Sequence, residues 1–155
     1  MSHGMNRKTR RQALQMAMGT LAVGLMVSPR AQAAWPRDAF DAKTVKEALE
    51  ALFKASSPTK SDAVTLLAPE LAENGTVVPV TVQTSLPNIE SVAFLADGNP
   101  RALVAMMTLS PRSQPPLTVR MKLAQSQNVV AVVKAGGSFH TASRMVKVSI
   151  GGCGG

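Results

Sequence analysis

The sequence predicts an all-β sandwich preceded by one helix. Two observations predict it. From Gly75 onward, short runs of alternating or wholly apolar residues recur between turn residues, about six or seven in all, at the spacing of a two-sheet sandwich. No helical pattern intervenes between them, which excludes a parallel α/β sheet. No internal repeat is present.

The 155-residue chain opens with a segment that reads as an address. Arg7-Lys8-Thr9-Arg10-Arg11 is a charged n-region, Ala13 to Val27 an apolar stretch, and Ala31-Gln32-Ala33 a small-x-small site, so cleavage is expected after Ala33. The apolar stretch is too short and too weakly hydrophobic to span a bilayer, and no stable membrane anchor is expected. Thr9-Arg10-Arg11-Gln12-Ala13-Leu14 resembles a twin-arginine export signal, with Ala13 where a bulkier apolar residue is usual and Gln15 where lysine often follows. The expected organisation is a signal peptide over 1–33, a helix-plus-sandwich domain over 34–150 and an arm over 151–155, with the mature protein in the periplasm.

Removing the leader changes the charge argument. Five of the 17 basic residues and none of the nine acidic ones lie in it, so the formal +8 falls to +3. Aromatics are 3% of the chain, and no basic patch is interleaved with them, so no nucleic-acid partner is expected. The remaining 122 residues suit one domain.

Asp38 to Lys54 reads as a helix, because Val45, Ala48, Leu49 and Leu52 fall on one face. Thr44 and Glu47 suit a capping box, or Asp38 caps an earlier start. Ser56-Ser57-Pro58 ends it. A second helical turn is expected from Asp62 to Leu67, stopped by Pro69. Val78, Val80 and Val82 then alternate with polar residues, and Pro79 marks an edge or a bulge. Ile89 to Leu95 is a strand closed by the turn Asp97-Gly98-Asn99-Pro100. Leu103 to Leu109 follows, with Met106 and Met107 proposed as part of an apolar face for a partner. Leu117 to Leu123 alternates apolar with Arg120 and Lys122. Val129 to Lys134 is apolar throughout and reads as central. Gly136-Gly137 is a hairpin turn. Met145 to Ile150 is the last strand, with Val146, Val148 and Ile150 inward.

That strand runs into Gly151-Gly152-Cys153-Gly154-Gly155, which holds the only cysteine. Glycine reaches backbone regions closed to other residues, so this segment reads as a supple arm. Five extended residues reach roughly 15–18 Å. A thiol on such a tether reads as a place where cargo is attached, carried and released. Most lone cysteines are simply buried as small apolar groups, and glycine-rich tails are common linkers. Here nothing apolar surrounds the thiol. Its pKa should lie near ~8.5, so activation has to come from a partner.

Catalytic equipment is otherwise missing. The mature chain has one histidine, His140, read as a surface residue at the end of a hairpin. With one cysteine and one histidine no metal site is expected, and there is no phosphate loop, dinucleotide fingerprint or haem attachment pair. No cofactor is expected on this chain, and no catalytic residue is assigned.

Arg120-Met121-Lys122-Leu123-Ala124-Gln125-Ser126-Gln127-Asn128-Val129-Val130-Ala131-Val132-Val133-Lys134, then Val146-Lys147-Val148-Ser149-Ile150-Gly151-Gly152-Cys153-Gly154-Gly155, resemble the sulfur-carrier subunit Y of the bacterial Sox thiosulfate-oxidising system. Ala68 to Gly75 and Val78-Pro79-Val80 fit the same pattern. Gly136-Gly137 stands where Asp-Gly is common, and His140 where tyrosine is common. The resemblance implies an immunoglobulin-like antiparallel sandwich, paired as a heterodimer with a Z-type (SoxZ-like) carrier subunit. It implies that Cys153 holds sulfur intermediates covalently and that Gly151, Gly152, Gly154 and Gly155 let the loaded thiol enter partner active sites. The implied partners are a c-type cytochrome complex (SoxAX-like) that joins thiosulfate to the thiol, a sulfate-releasing hydrolase (SoxB-like) and, as a further candidate, a sulfane dehydrogenase (SoxCD-like). The chain would then be a substrate and not an enzyme. The competing reading is a periplasmic interaction module whose Cys153 forms an intermolecular disulfide. A small redox enzyme lacks the resolving cysteine it would need.

Overall fold

A computed structural model describes residues 36–54 and 58–149. The chain separates into two units, Met1–Trp35 and Pro36–Gly155, and every described residue belongs to the second. Among the described residues two helices, α1 (Arg37–Asp41) and α2 (Val45–Phe53), precede nine strands. These are β1 (Thr59–Lys60), β2 (Val64–Leu67), β3 (Leu71–Ala72), β4 (Val78–Thr84), β5 (Ile89–Ala96), β6 (Leu103–Thr108), β7 (Leu117–Met121), β8 (Gln127–Ala135) and β9 (Ser138–Val148). One sheet runs β1-β9-β8-β5-β6, with β3 also on β9; the other is β2-β4-β7. The architecture is the expected mainly-β sandwich.

The side-chain period of two explains the layering. Along β5, Val92, Phe94 and Ala96 enter the core between the sheets, while Ala93 and Leu95 lie under the helices. β8 divides likewise: Val129, Ala131 and Val133 go inward, and Val130 and Val132 go to the helix side. Both strands are covered on both faces, which is why they read as unbroken apolar runs. β8 is central, as its composition predicts. Phe94 is fully buried, and burying such a side chain is worth about 1.5–3 kcal/mol.

The predicted single helix is two. Ala42 is extended (φ −61°, ψ 134°) and its carbonyl accepts from Ala102 N, 3.0 Å away, so the helical ladder stops there. Thr44 restarts it: its hydroxyl accepts from Glu47 N at 3.2 Å, and the Glu47 carboxylate accepts from Thr44 N at 3.3 Å. The capping box is therefore present, and Asp38 caps nothing. The helical turn expected over Asp62 to Leu67 is instead β2: Val64 and Leu66 face the core and pair across from Thr84 and Val82. Alternation over four residues fits a strand once β4 lies beside it.

Pro79 behaves as expected of an edge position. β2 ends at Leu67 opposite Thr81, so at Pro79 only β7 adjoins β4. β6 is the edge strand of the larger sheet; Met106 and Met107 are half-buried there. Gly136 and Gly137 both have positive φ (54° and 77°) and close the β8–β9 hairpin, as predicted. The returning strand starts at Ser138, seven residues earlier than its apolar pattern shows. His140 is therefore not at the hairpin end; it is half-buried inside β9, opposite Val133 and beside Thr59. At this end Glu90 accepts from Gly137 N and pairs with Lys134; Lys134 first, and then the Gly137 amide, hold its carboxyl below the ordinary value.

Candidate functional site

The sequence places the thiol beyond β9, so the site is built from the end of that strand. Ile150 and the whole segment Gly151, Gly152, Cys153, Gly154 and Gly155 lie outside the described residues; Ser149 is the last one described. What the structure defines is the root from which the segment leaves.

Three groups hold that root. On one side, β3 runs parallel to β9, with Leu71 opposite Lys147 and Ala72 opposite Val148. Lys147 N donates to Glu70 O, and Ser149 N donates to Ala72 O, each over 2.9 Å. On the other side, β8 reaches only Gln127, which faces Val146. One residue earlier, the Ser126 hydroxyl takes over, accepting from Val148 N at 2.9 Å. A side chain thus continues the ladder where the main chain has turned away, and the Val148 amide is not left unpaired. Below, Val148 packs against Gly75. A Cβ on Gly75 would lie 2.6 Å from Leu123 O and 2.8 Å from Val148 Cγ1. Gly75 O also accepts from Leu123 N at 2.7 Å, so only a residue without a side chain permits this approach.

Behind Ser126 stands a buried polar hub. Gln127 Nε2 donates to Asn99 Oδ1 (2.9 Å) and Gln125 O (3.1 Å), and its Oε1 accepts from Gly98 N (2.6 Å). Asn99 in turn donates to Lys122 O and accepts from Ala124 N. The β5–β6 turn and the β7–β8 connection are thereby fixed to one another beside the root. Among the described residues no buried side-chain polar atom lacks a partner. A satisfied network of this kind rigidifies what it joins.

The remaining chemistry is sparse. Among the described residues no cluster of His, Cys, Asp and Glu could hold a metal, and no helix is long and apolar enough to cross a membrane. An open cleft of about 630 Å³ lies at the far end of the sandwich, between the β4–β5 and β6–β7 connections. Among the described residues that line it, Glu90, already paired, is the sole ionisable one. His140 belongs to the far half of β9 and takes no part in the root. Sequence reasoning located the strand that ends at the thiol but missed Gly75, Asn99, Ser126 and Gln127. Asn99 carried a signal, since it sits in the recognised Asp-Gly-Asn-Pro turn; Ser126 carried none.

The family model "Sulfur oxidation protein SoxY" matches residues 49–153, a span that includes the root and Cys153. The solved structure of the sulfur carrier protein SoxY from Chlorobium limicola f thiosulfatophilum is 39% identical, with a TM-score of 0.62, over 69% of this chain and 97% of that one. A superoxide reductase (neelaredoxin) from Ignicoccus hospitalis aligns over 68% of this chain and 94% of its own, at 24% identity and a TM-score of 0.49. No curated protein matches. Two thirds of the chain, from α2 through the arm, fit one family model, and the fold agrees with a solved member: the chain belongs to the SoxY family of sulfur oxidation proteins.

Proposed function

We propose that this protein is a periplasmic carrier that holds thiosulfate-derived sulfur on Cys153 and presents it to partner enzymes. The observation that carries the reading is the clamped root. β9 is tied by Ala72 and Ser126 up to Ser149, and after Ile150 the sequence changes to glycines around a single thiol. A fixed base followed by glycines, the residues with the widest backbone choice, suits delivery of a reactive group over a short range.

The chemistry divides between chain and partners. The Cys153 thiol and thiosulfate join through a new S–S bond to the sulfane sulfur of thiosulfate; one proton and two electrons leave, the electrons passing to a c-type cytochrome complex. Water then attacks the sulfonate sulfur under a hydrolase, releasing sulfate and a proton and leaving a persulfide on Cys153. A sulfane dehydrogenase is the candidate for oxidising that sulfur. The chain supplies position and a nucleophile, needs no cofactor of its own, and acts as substrate throughout. A Z-type subunit completes a heterodimer, for which the open side of edge strand β6 is available. Export follows the twin-arginine-type leader over 1–33 with cleavage after Ala33, leaving the carrier domain and the arm 151–155.

The double variant Gly152→Val, Gly154→Val tests the carrier reading. β-Branched neighbours narrow backbone freedom and widen the tether. Alkylation of Cys153 by iodoacetamide should stay within about twofold, since a small reagent makes no demand on the tether, while enzymatic loading with thiosulfate should fall about tenfold or more. Equal loading of variant and wild type would remove the tether from the account.

A further inference from the structure

Large apolar side chains that stay exposed are unevenly placed on this molecule. Among the described residues they are Leu67, Leu71, Val77 and Met145, at 42%, 57%, 54% and 51% exposure. Leu71, Val77 and Met145 belong to the half of the sandwich from which the arm leaves, and Leu67 sits at mid-height. Leu71 lies directly opposite Lys147 in the β3–β9 pair. Met145 precedes Lys147 by two residues and so shares its face of β9. Val77 abuts Val78, which begins β4 opposite Met121, whereas Leu67 pairs with Thr81 in the middle of β4. Isolated exposed apolar residues need no explanation, but a cluster on one end marks a contact surface.

We infer that the face formed by Leu71, Lys147 and Met145 beside the arm root is a docking surface for the rim of the enzyme that loads the Cys153 thiol. The inference rests on the carrier reading above. The covalent leash decides the occupant. From Ser149 to Cys153 the chain spans at most about 14 Å. Along β9 and across to β3, Leu71 lies about 8 Å and Met145 about 13 Å from Ser149. An enzyme whose reacting centre meets the thiol at the end of that leash brings its entrance within reach of this face, which is where the exposed apolar side chains stand. A permanent subunit seated there would deny the arm to every enzyme, so the fitting occupant is transient. Lys147 makes no ion pair among the described residues, which leaves its ammonium free for a carboxylate on the visiting rim. The remainder of the rim is apolar, to match Leu71 and Met145.

The test uses Leu71→Ser and Met145→Ser, singly and together, in the full mature protein with its Z-type subunit. The probe is the purified c-type cytochrome complex with thiosulfate. Because both side chains are exposed, folding should hold; Met145→Ser, within the long strand β9, keeps the test valid even if Leu71→Ser loosens β3. The double variant should raise KM for the carrier about tenfold or more, with kcat changed less than about twofold and iodoacetamide alkylation of Cys153 unchanged. Pro87→Ala, at the far end of the sandwich, should behave as wild type. Variants with wild-type KM would overturn the docking surface and leave the carrier reading standing. Variants that shed the Z-type subunit, or change self-association, would assign the face to a permanent partner or a second copy and overturn the inference. A wild-type protein that takes no cargo onto Cys153 would overturn both.

Discussion

Cys153→Ser is expected to abolish thiosulfate-dependent turnover of the reconstituted system, while the folded domain and its association with the Z-type subunit persist. A serine hydroxyl cannot form the S–S bond on which loading depends, and no second cysteine exists to replace it. The sandwich does not need the thiol: the core is supplied by Phe94, Met121 and the valines of β4, β5 and β8, all within the described residues. Thermal unfolding should therefore match wild type. The competing module, held to its partner through a disulfide, gives the opposite pattern, because there the same substitution releases the partner. Turnover assayed together with size-exclusion chromatography separates the two. Retained turnover, or loss of the partner with Cys153→Ser, would count against the carrier.

Gly75→Ala is expected to be the most damaging single change near the root. The added methyl meets a backbone oxygen, Leu123 O at 2.6 Å, and the Val148 side chain at 2.8 Å. A flexible side chain could yield; the carbonyl cannot, because the Leu123 amide is itself bonded to Gly75 O at 2.7 Å. Relief requires β9 or the end of β7 to move, and overpacking of this kind costs about 1–3 kcal/mol. Urea denaturation should show the loss as a lower midpoint at unchanged slope. The Val148 amide should also exchange faster with solvent, since its bond to Ser126 lies at the displaced contact. A midpoint equal to wild type would show that the close approach is not binding on the fold.

Much of this architecture is legible in the sequence because it follows from side-chain periodicity. β4, β5, β7 and β8 were expected within a residue or two of their observed ends, and Gly136-Gly137 marks its hairpin. The misreadings have physical causes. β2 is four residues long and becomes a strand only through pairing with β4, a long-range contact that local propensity does not encode. The helix break at Ala42 depends on a bond from Ala102, sixty residues away. The first half of β9 carries mixed residues, Phe139, His140, Thr141 and Ser143, because its neighbours and the helices cover it incompletely. The thiol and its glycines were identifiable from residue type alone. The devices that fix the root were not, since Gly75, Ser126 and Gln127 act through partners distant in sequence.

The most direct test of covalent cargo is the intact mass of the mature protein purified from cells grown on thiosulfate, taken before and after mild reduction, with peptide mapping. Reductant-sensitive additions of sulfur or thiosulfonate are expected, confined to the peptide containing Cys153, on a chain beginning at Ala34. A bare thiol in every preparation, or a disulfide to another protein as the sole modification, would contradict it.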